Sequence, residues 1–276
     1  MNKKTIKIAA AASALLISSA IVLDSRYNLE VTEYELSFEN LPPAFEGLHI
    51  VHLSDLHGWQ FGKDNIILIE KIRELKPDII AITGDMTDNV TNIHAFENLL
   101  KGIYKLAPIY YVHGNHEWGG LCTEEVAELL GKFGANNISN DYLPLYKNGE
   151  RIIMAAADDA LGPADQIKPT ELIEKLREEY PDDFVLMLGH RNYWLQKYPQ
   201  LPIDLVLSGH AHGGIVRMPF VGGLLDVSRS MPAKHENGVY EGENYTMLVS
   251  RGLGNSIIVP RFLNRPEIVS LKLYKS

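Results

Sequence analysis

Cysteine is nearly missing from this chain: Cys122 stands alone among 276 residues, so no intramolecular disulfide forms and no thiolate zinc knuckle can be built. Positive charge is also scarce. Against 35 Asp and Glu stand 26 Lys and Arg, a net charge of -9 that offers no basic stripe, so no nucleic-acid partner is expected. No Gly-x-Ser-x-Gly elbow and no His-Glu-x-x-His helix occurs, which removes the serine-hydrolase and zincin-protease chemistries. Internal repeats and low-complexity linkers are absent, so residues 30–276 read as one domain. Long apolar runs are limited to one stretch, Ile8 to Leu23.

That stretch follows Asn2-Lys3-Lys4-Thr5-Ile6-Lys7 and precedes Asp24, Arg26, Glu30 and Glu33. As helix it reaches roughly 24 Å, slightly less than a hydrocarbon core of roughly 30 Å. Residues 1–25 are therefore a membrane anchor or a signal segment, with Ser18 and Ala20 as a weak cleavage signal. Lysines ahead of the run and acids behind it put the body of the chain outside the cytoplasm, tethered to the cell membrane, or secreted if the segment is cleaved. An uncleaved anchor is the expectation.

Beyond it, apolar runs alternate with helical patterns. Strands are expected at Glu30 to Phe38, Leu48 to Leu53, Asp78 to Thr83, Ile109 to Val112, Arg151 to Ala157, Phe184 to Leu188 and Asp204 to Ser208. Helices are expected at Asn65 to Leu75, capped by Asp64 with Ile66, Ile69 and Ile72 on one face, and at about Asn92 to Leu106, Thr123 to Phe133 and Pro169 to Tyr180. Tyr245 to Ser250 and Glu267 to Tyr274 look like antiparallel strands. Continuous apolar strands imply sheets buried on both faces, and ligands in such folds collect beyond the carboxyl ends of strands.

Metal-liking side chains fall at those ends. The segments are Asp55-Leu56-His57, Gly84-Asp85, Gly114-Asn115-His116-Glu117, Gly189-His190 and Gly209-His210-Ala211-His212. Asp55-x-His57 and Gly84-Asp85 are weak signals singly, since both occur in ordinary turns. Gly114 to Glu117 is moderately specific, with a tight turn as its alternative. His190 alone suits a hydrogen-bonded core histidine. The histidine pair His210 and His212 is strong, because the flanking glycines leave the imidazoles no packing role. Imidazoles, carboxylates and an amide form a mixed N/O set suited to borderline divalent cations. The set is too large for one tetrahedral site and fits two adjacent ions with open positions, as in two-metal hydrolases.

These segments, in this order, resemble the calcineurin-like metallophosphoesterases: D-x-H, GD-x-x-D, GNH-E/D, a lone H, then GH-x-H. The likeness runs from Leu48 to Glu267. Ser250 to Gly254, Asn264 to Glu267 and the apolar amino terminus are similar to a bacterial membrane-associated branch that includes UDP-2,3-diacylglucosamine hydrolases. The lone-histidine loop departs from the common H-x-P pattern, reading His190-Arg191-Asn192. The resemblance implies an α/β, four-layer α-β-β-α sandwich of two mixed sheets. It implies Asp55, His57 and His212 on one ion, Asn115, His190 and His210 on the other, and Asp85 on both, the ions being manganese, zinc or iron. His116 would face the phosphoryl group and protonate the leaving oxygen or stabilise the transition state, oriented by Asp88, whose alternative role is a turn cap at Asn89. The implied activity is a phosphodiesterase or pyrophosphatase acting through a hydroxide between two ions, on a phosphorylated small-molecule or lipid-linked substrate. A non-catalytic metal-binding scaffold and a soluble nucleotide phosphodiesterase are the alternatives.

One expectation belongs to this chain alone. Trp59, Trp118 and Trp194 follow His57, His116 and His190 closely, so they are candidates for a substrate platform, the alternative being loop packing or contact with the bilayer surface. Asp158 and Asp159 read as turn residues, and Arg191 and Arg217 as surface charge, with contact to a phosphate as the alternative.

Overall fold

The computed structural model describes residues 3–225, 234–255 and 259–276. In chain order the elements are α1 (Lys3–Tyr27), β1 (Glu30–Phe38), β2 (Leu48–Leu53), α2 (Ile66–Leu75), β3 (Ile79–Ile82), α3 (His94–Ile103), β4 (Ile109–Tyr111), α4 (Asn115–Gly119), α5 (Thr123–Lys132) and β5 (Asn136–Asn137). There follow β6 (Asp141–Lys147), β7 (Glu150–Ala157), α6 (Pro169–Glu179), β8 (Val185–Gly189), α7 (Trp194–Lys197), β9 (Leu205–Ser208), β10 (Arg217–Met218), β11 (Gly222–Gly223), β12 (Gly238–Glu241), β13 (Thr246–Val249) and β14 (Glu267–Lys275).

Two mixed six-stranded sheets carry the fold, in orders β1-β14-β2-β3-β4-β5 and β12-β13-β9-β8-β7-β6. The parallel runs β2-β3-β4 and β7-β8-β9 lie at their centres. Side chains alternate across each strand, as period-two geometry requires. Ile50, Ile79 and Ala81 of the first sheet meet Ile152, Met154, Leu186 and Leu207 of the second in the layer between the sheets. Val51, Leu53, Ile80 and Ile82 face outward under α2, α3 and α5, while Ile153, Ala155 and Val185 face α6 and α7. The result is the expected helix-sheet-sheet-helix sandwich.

Several local expectations are corrected. Asp64 does not cap α2: it sits at φ 54 in a 3-10 turn and accepts from Asn98 instead. Asn65 organises that turn, accepting from the Phe61 amide and donating to the Ala95 carbonyl. The buried face of α2 is Leu68, Ile69 and Ile72, with Ile66 exposed. β13 is antiparallel to β12 but parallel to β9, and β14 is parallel to β1 but antiparallel to β2, so the carboxyl-terminal strands are mixed. Strand β6, interrupted by Pro144, pairs antiparallel with β7 at the edge of the second sheet, where a missing amide donor is tolerated.

α1 is longer than its uncharged run. Its 25 residues continue through the lysines and through Arg26, which brings it to about 37 Å. It is long and apolar enough to cross a membrane, and Leu15, Leu16, Ile17 and Leu23 are exposed along it. Its last turn is fastened to the body. Asp24 accepts two hydrogen bonds from Arg265 at 2.7 and 2.8 Å, and the buried Ser25 hydroxyl accepts from the Asn264 amide at 3.3 Å.

Candidate functional site

The loops after β2, β3 and β4 leave the first sheet beside the loops after β8 and β9 of the second, so donors distant in sequence meet at one edge of the sandwich. Two glycines let the loops approach. A Cβ on Gly84, at φ 81, would lie 2.2 Å from the Gly114 nitrogen, and one on Gly114 would lie 2.2 Å from Asp85 Oδ1. Side chains at either position would force the loops apart.

Asp55, His57 and His212 form one group of potential metal donors and Asp85, His190 and His210 another, with the donor atoms of each group within 4.8 Å of one another. The groups adjoin through Asp85, whose Oδ2 is 3.1 Å from His190 Nε2, 3.8 Å from His57 Nε2 and 4.0 Å from His116 Nε2. Asn115 Oδ1 lies 3.2 Å from His190 Nε2 and completes the second group. All seven side chains expected to converge do so.

Second contacts aim the rings. His190 Nδ1 donates to the Thr83 carbonyl at 2.7 Å, which leaves Nε2 as a lone-pair donor toward Asp85, Asn115 and His210. Asp88 Oδ1 holds two rings at once, 2.6 Å from His57 Nδ1 and 2.9 Å from His116 Nδ1. Both histidines therefore present Nε2 inward. The His210 amide donates to both oxygens of Asp55, at 3.0 and 3.2 Å, tying the second sheet to the first.

The donor chemistry fits cations. His57 Nε2 and His212 Nε2 face each other at 3.2 Å, as do His190 Nε2 and His210 Nδ1. Lone pairs turned on one another in a buried place need a proton or a metal between them. The titration tendencies agree. Burial opposes charge on His190, but Asp85 overcomes it and pushes the imidazole up to about 10. Burial would raise Asp85, yet His190 and His57 hold it well below the usual carboxylate range. Burial and neighbouring positive groups keep His210 and His212 well below the ordinary histidine value.

Glu117, the acid that closes the Gly114-Asn115-His116-Glu117 segment, is central to the site. Fully buried, it accepts from the amides of Asp85 at 2.9 Å, Met86 at 2.7 Å and Gly114 at 2.9 Å. It thus clamps the β3 and β4 loops, helped by the short helix α4, which stands where a tight turn was the alternative reading. An acid directly after Asn-His was the available signal.

Asp159 opens a turn as expected, its carboxylate accepting from the Leu161 amide and its carbonyl from the Gly162 amide, while the surface-charge reading of Arg191 is corrected. Asp159 is buried and takes Arg191 in a bidentate pair at 2.6 and 3.1 Å, which sets Arg191 Nη1 at 3.3 Å from His210 Nε2. Arg261, which carried no sequence signal, is 4% exposed and places Nη2 3.3 Å from His212 Nδ1.

The tryptophans do not make one platform. Trp194 is 3% exposed and packs beneath β8, where a Cβ on Gly189 would meet its ring at 2.0 Å, so it is a core residue. Trp118 sits edge-on to His113 at 5.9 Å. Trp59 lies at the foot of α1, 5.7 Å from Tyr27 and 4.4 Å beneath the Arg26 guanidinium. Loop and anchor packing explains these positions.

A family model described as calcineurin-like phosphoesterase matches residues 48–214. Among similar proteins is an uncharacterized metallophosphoesterase of Bacillus subtilis, YkuE, 30% identical over 89% of this chain and 85% of that one. The phosphodiesterase YaeI of Escherichia coli is 29% identical over 88% of each. A transmembrane protein with a metallophosphoesterase domain from Danio rerio is 27% identical over 94% of this chain and 62% of its own length.

Proposed function

Because the chain belongs to the calcineurin-like phosphoesterase family, and is thereby a metal-dependent phosphoester hydrolase, we propose that its donor cluster hydrolyses a phosphodiester or pyrophosphate. The observation that carries this reading is the approach of Asp85 to His190 at 3.1 Å and to His57 at 3.8 Å, which joins two donor groups into one centre.

In this reading Asp55, His57 and His212 would hold one divalent cation, Asn115, His190 and His210 would hold a second, and Asp85 would serve both. Manganese, zinc and iron all suit such a mixture. Cations held there would supply Lewis acidity toward phosphoryl oxygens and toward water. The chain's own groups do the rest. His116 Nε2 donates a proton to the leaving oxygen. Burial opposes a charged His116, but Asp88 and Asp85 raise it above the ordinary histidine value, which favours the protonated ring a general acid needs. Asp88 fixes the ring that carries that proton. Arg191, held by Asp159, adds a fixed positive charge beside His210 for a phosphate oxygen.

A complete donor set with His116 in place argues against a non-catalytic scaffold. Location supports the substrate class: α1 is long and apolar enough to cross a membrane, and the lysines of its first turns favour a catalytic domain on the outer side. A lipid-linked or envelope substrate, of the type taken by UDP-2,3-diacylglucosamine hydrolases, fits that position. The test is a panel of phosphomonoesters, diesters, UDP-linked sugars and lipid phosphates, assayed with manganese and with chelator. Metal-dependent turnover of a diester or pyrophosphate, preferred over monoesters, is expected. Turnover of monoesters alone would contradict the assignment.

A further inference from the structure

Between the foot of α1 and the body lies a cavity of about 230 Å³, lined by Arg26, Trp59, Leu253, Gly254, Pro260 and Arg261. None of these residues belongs to the donor cluster. The volume is below the roughly 300–1,000 Å³ that holds a drug-sized ligand, so it suits a compact polar group.

Two cations and an aromatic wall define its chemistry. The Arg26 guanidinium lies flat over Trp59 at 4.4 Å, in reach of solvent. Arg261 is its buried counterpart. Its Nε donates to the Gly254 carbonyl at 2.9 Å and its Nη2 to the carbonyls of Arg251 and Gly254 at 2.7 and 2.6 Å. Its Nη1 is buried and, among the described residues, meets no acceptor. A buried charged donor without an acceptor is costly. Asp55 and Glu267 favour the Arg261 charge against its burial, and an anion in the cavity would add to them.

The setting points to where that anion comes from. Arg26 stands in the last turn of α1, just past its apolar stretch, so insertion of α1 in a bilayer brings the cavity to head-group depth. Exposed apolar side chains occur in the segments next to the cavity-lining loop. Val259 and Leu263 flank the cavity-lining loop in sequence, and Phe220 and Val221 lie at the turn of β10 and β11, whose base is hydrogen bonded to Phe262. Tyr27 and Trp59 are of the type favoured at a membrane interface.

We propose that this cavity binds the phosphate of an anionic amphiphile's head group, held between Arg26 and Arg261 with Trp59 as its apolar wall. The ligand then touches, through Arg261, the residue that lies 3.3 Å from His212, so the membrane surface is one side chain away from the donor cluster. The site stands on the cavity and its cations, independently of the phosphoesterase reading.

The test uses the full chain in non-ionic detergent with chelator present, so that bound metal contributes no anion affinity and no turnover is involved. Short-chain phosphatidylglycerol, short-chain phosphatidylcholine and inorganic phosphate are titrated calorimetrically. Phosphatidylglycerol is expected to bind one to one, about tenfold tighter than phosphatidylcholine, and Arg26→Gln to weaken it about tenfold. Arg261→Gln, checked for an unchanged unfolding transition, is expected to abolish binding; if it unfolds, Arg26→Gln decides alone. Inorganic phosphate bound with the same arginine dependence, in place of the lipid, supports the anion site with a soluble source. No binding of any probe, or equal binding by wild type and Arg26→Gln, overturns the proposal.

Discussion

Replacing Glu117 by Gln tests whether one carboxylate holds the two halves of the first sheet's donor loops together. Oε2 accepts from the amides of Asp85 and Gly114, and Oε1 accepts from Met86 and, at 3.4 Å, from Thr87. A carboxamide keeps one oxygen and turns an NH2 group toward the remaining donors. In either rotamer two buried amides are stranded against an N–H. Each stranded buried donor costs about 1–3 kcal/mol, so the expected loss of stability is about 2–6 kcal/mol. Chemical denaturation in chelator measures it without any contribution from bound metal. The donor groups should also loosen, since Asp85 and Asn115 ride on the clamped loops, and manganese affinity should fall with stability. An unchanged denaturation midpoint together with unchanged manganese affinity would refute the clamp.

Other outcomes follow from the same geometry. His116→Ala should lower kcat by about 10²–10⁴ on an alkyl ester and much less on a nitrophenyl ester, whose leaving group needs no proton, with metal content unchanged; equal losses on both would remove His116 as the acid. Asp88→Asn should weaken both ring anchors, lowering kcat and metal affinity together by about 10–100-fold, and an effect on one alone would break the shared role. Asp158 is pushed by burial up to about 7 from an ordinary 3.8. The folded state then holds a proton that the unfolded state releases, so between about pH 4 and 7 stability should fall as pH rises, by at most about 1.4 kcal/mol per unit. Asp158→Asn should flatten that slope in a urea-denaturation series; an unaltered slope would show the burial to be relieved.

Much of the centre was legible because each donor directly follows an apolar strand. Leu53 leads to Asp55, Ile82 to Asp85 and Ser208 to His210, and parallel pairing aligns those ends without further information. What escaped depends on contacts between distant segments. Nothing near Arg261 in sequence announces its place beside His212, and the pairing with Asp159 that sets Arg191 beside His210 has no local signal. Asp64 looked like a cap by residue type, but the positive φ at Asp64 and Asn65 gave the turn to Asn65. The tryptophans were misplaced for a similar reason: proximity in sequence to a ligand does not say which face of the loop a ring takes, and Gly189 left room beneath β8 for Trp194.

The paired centre is tested most directly by counting metal. Purified protein reconstituted with manganese, freed of loosely held ion and analysed by inductively coupled plasma mass spectrometry, should carry two ions per chain, falling below two in Asp85→Asn. A single ion in the wild type, or two ions retained by Asp85→Asn at unchanged affinity, would contradict a centre joined through Asp85.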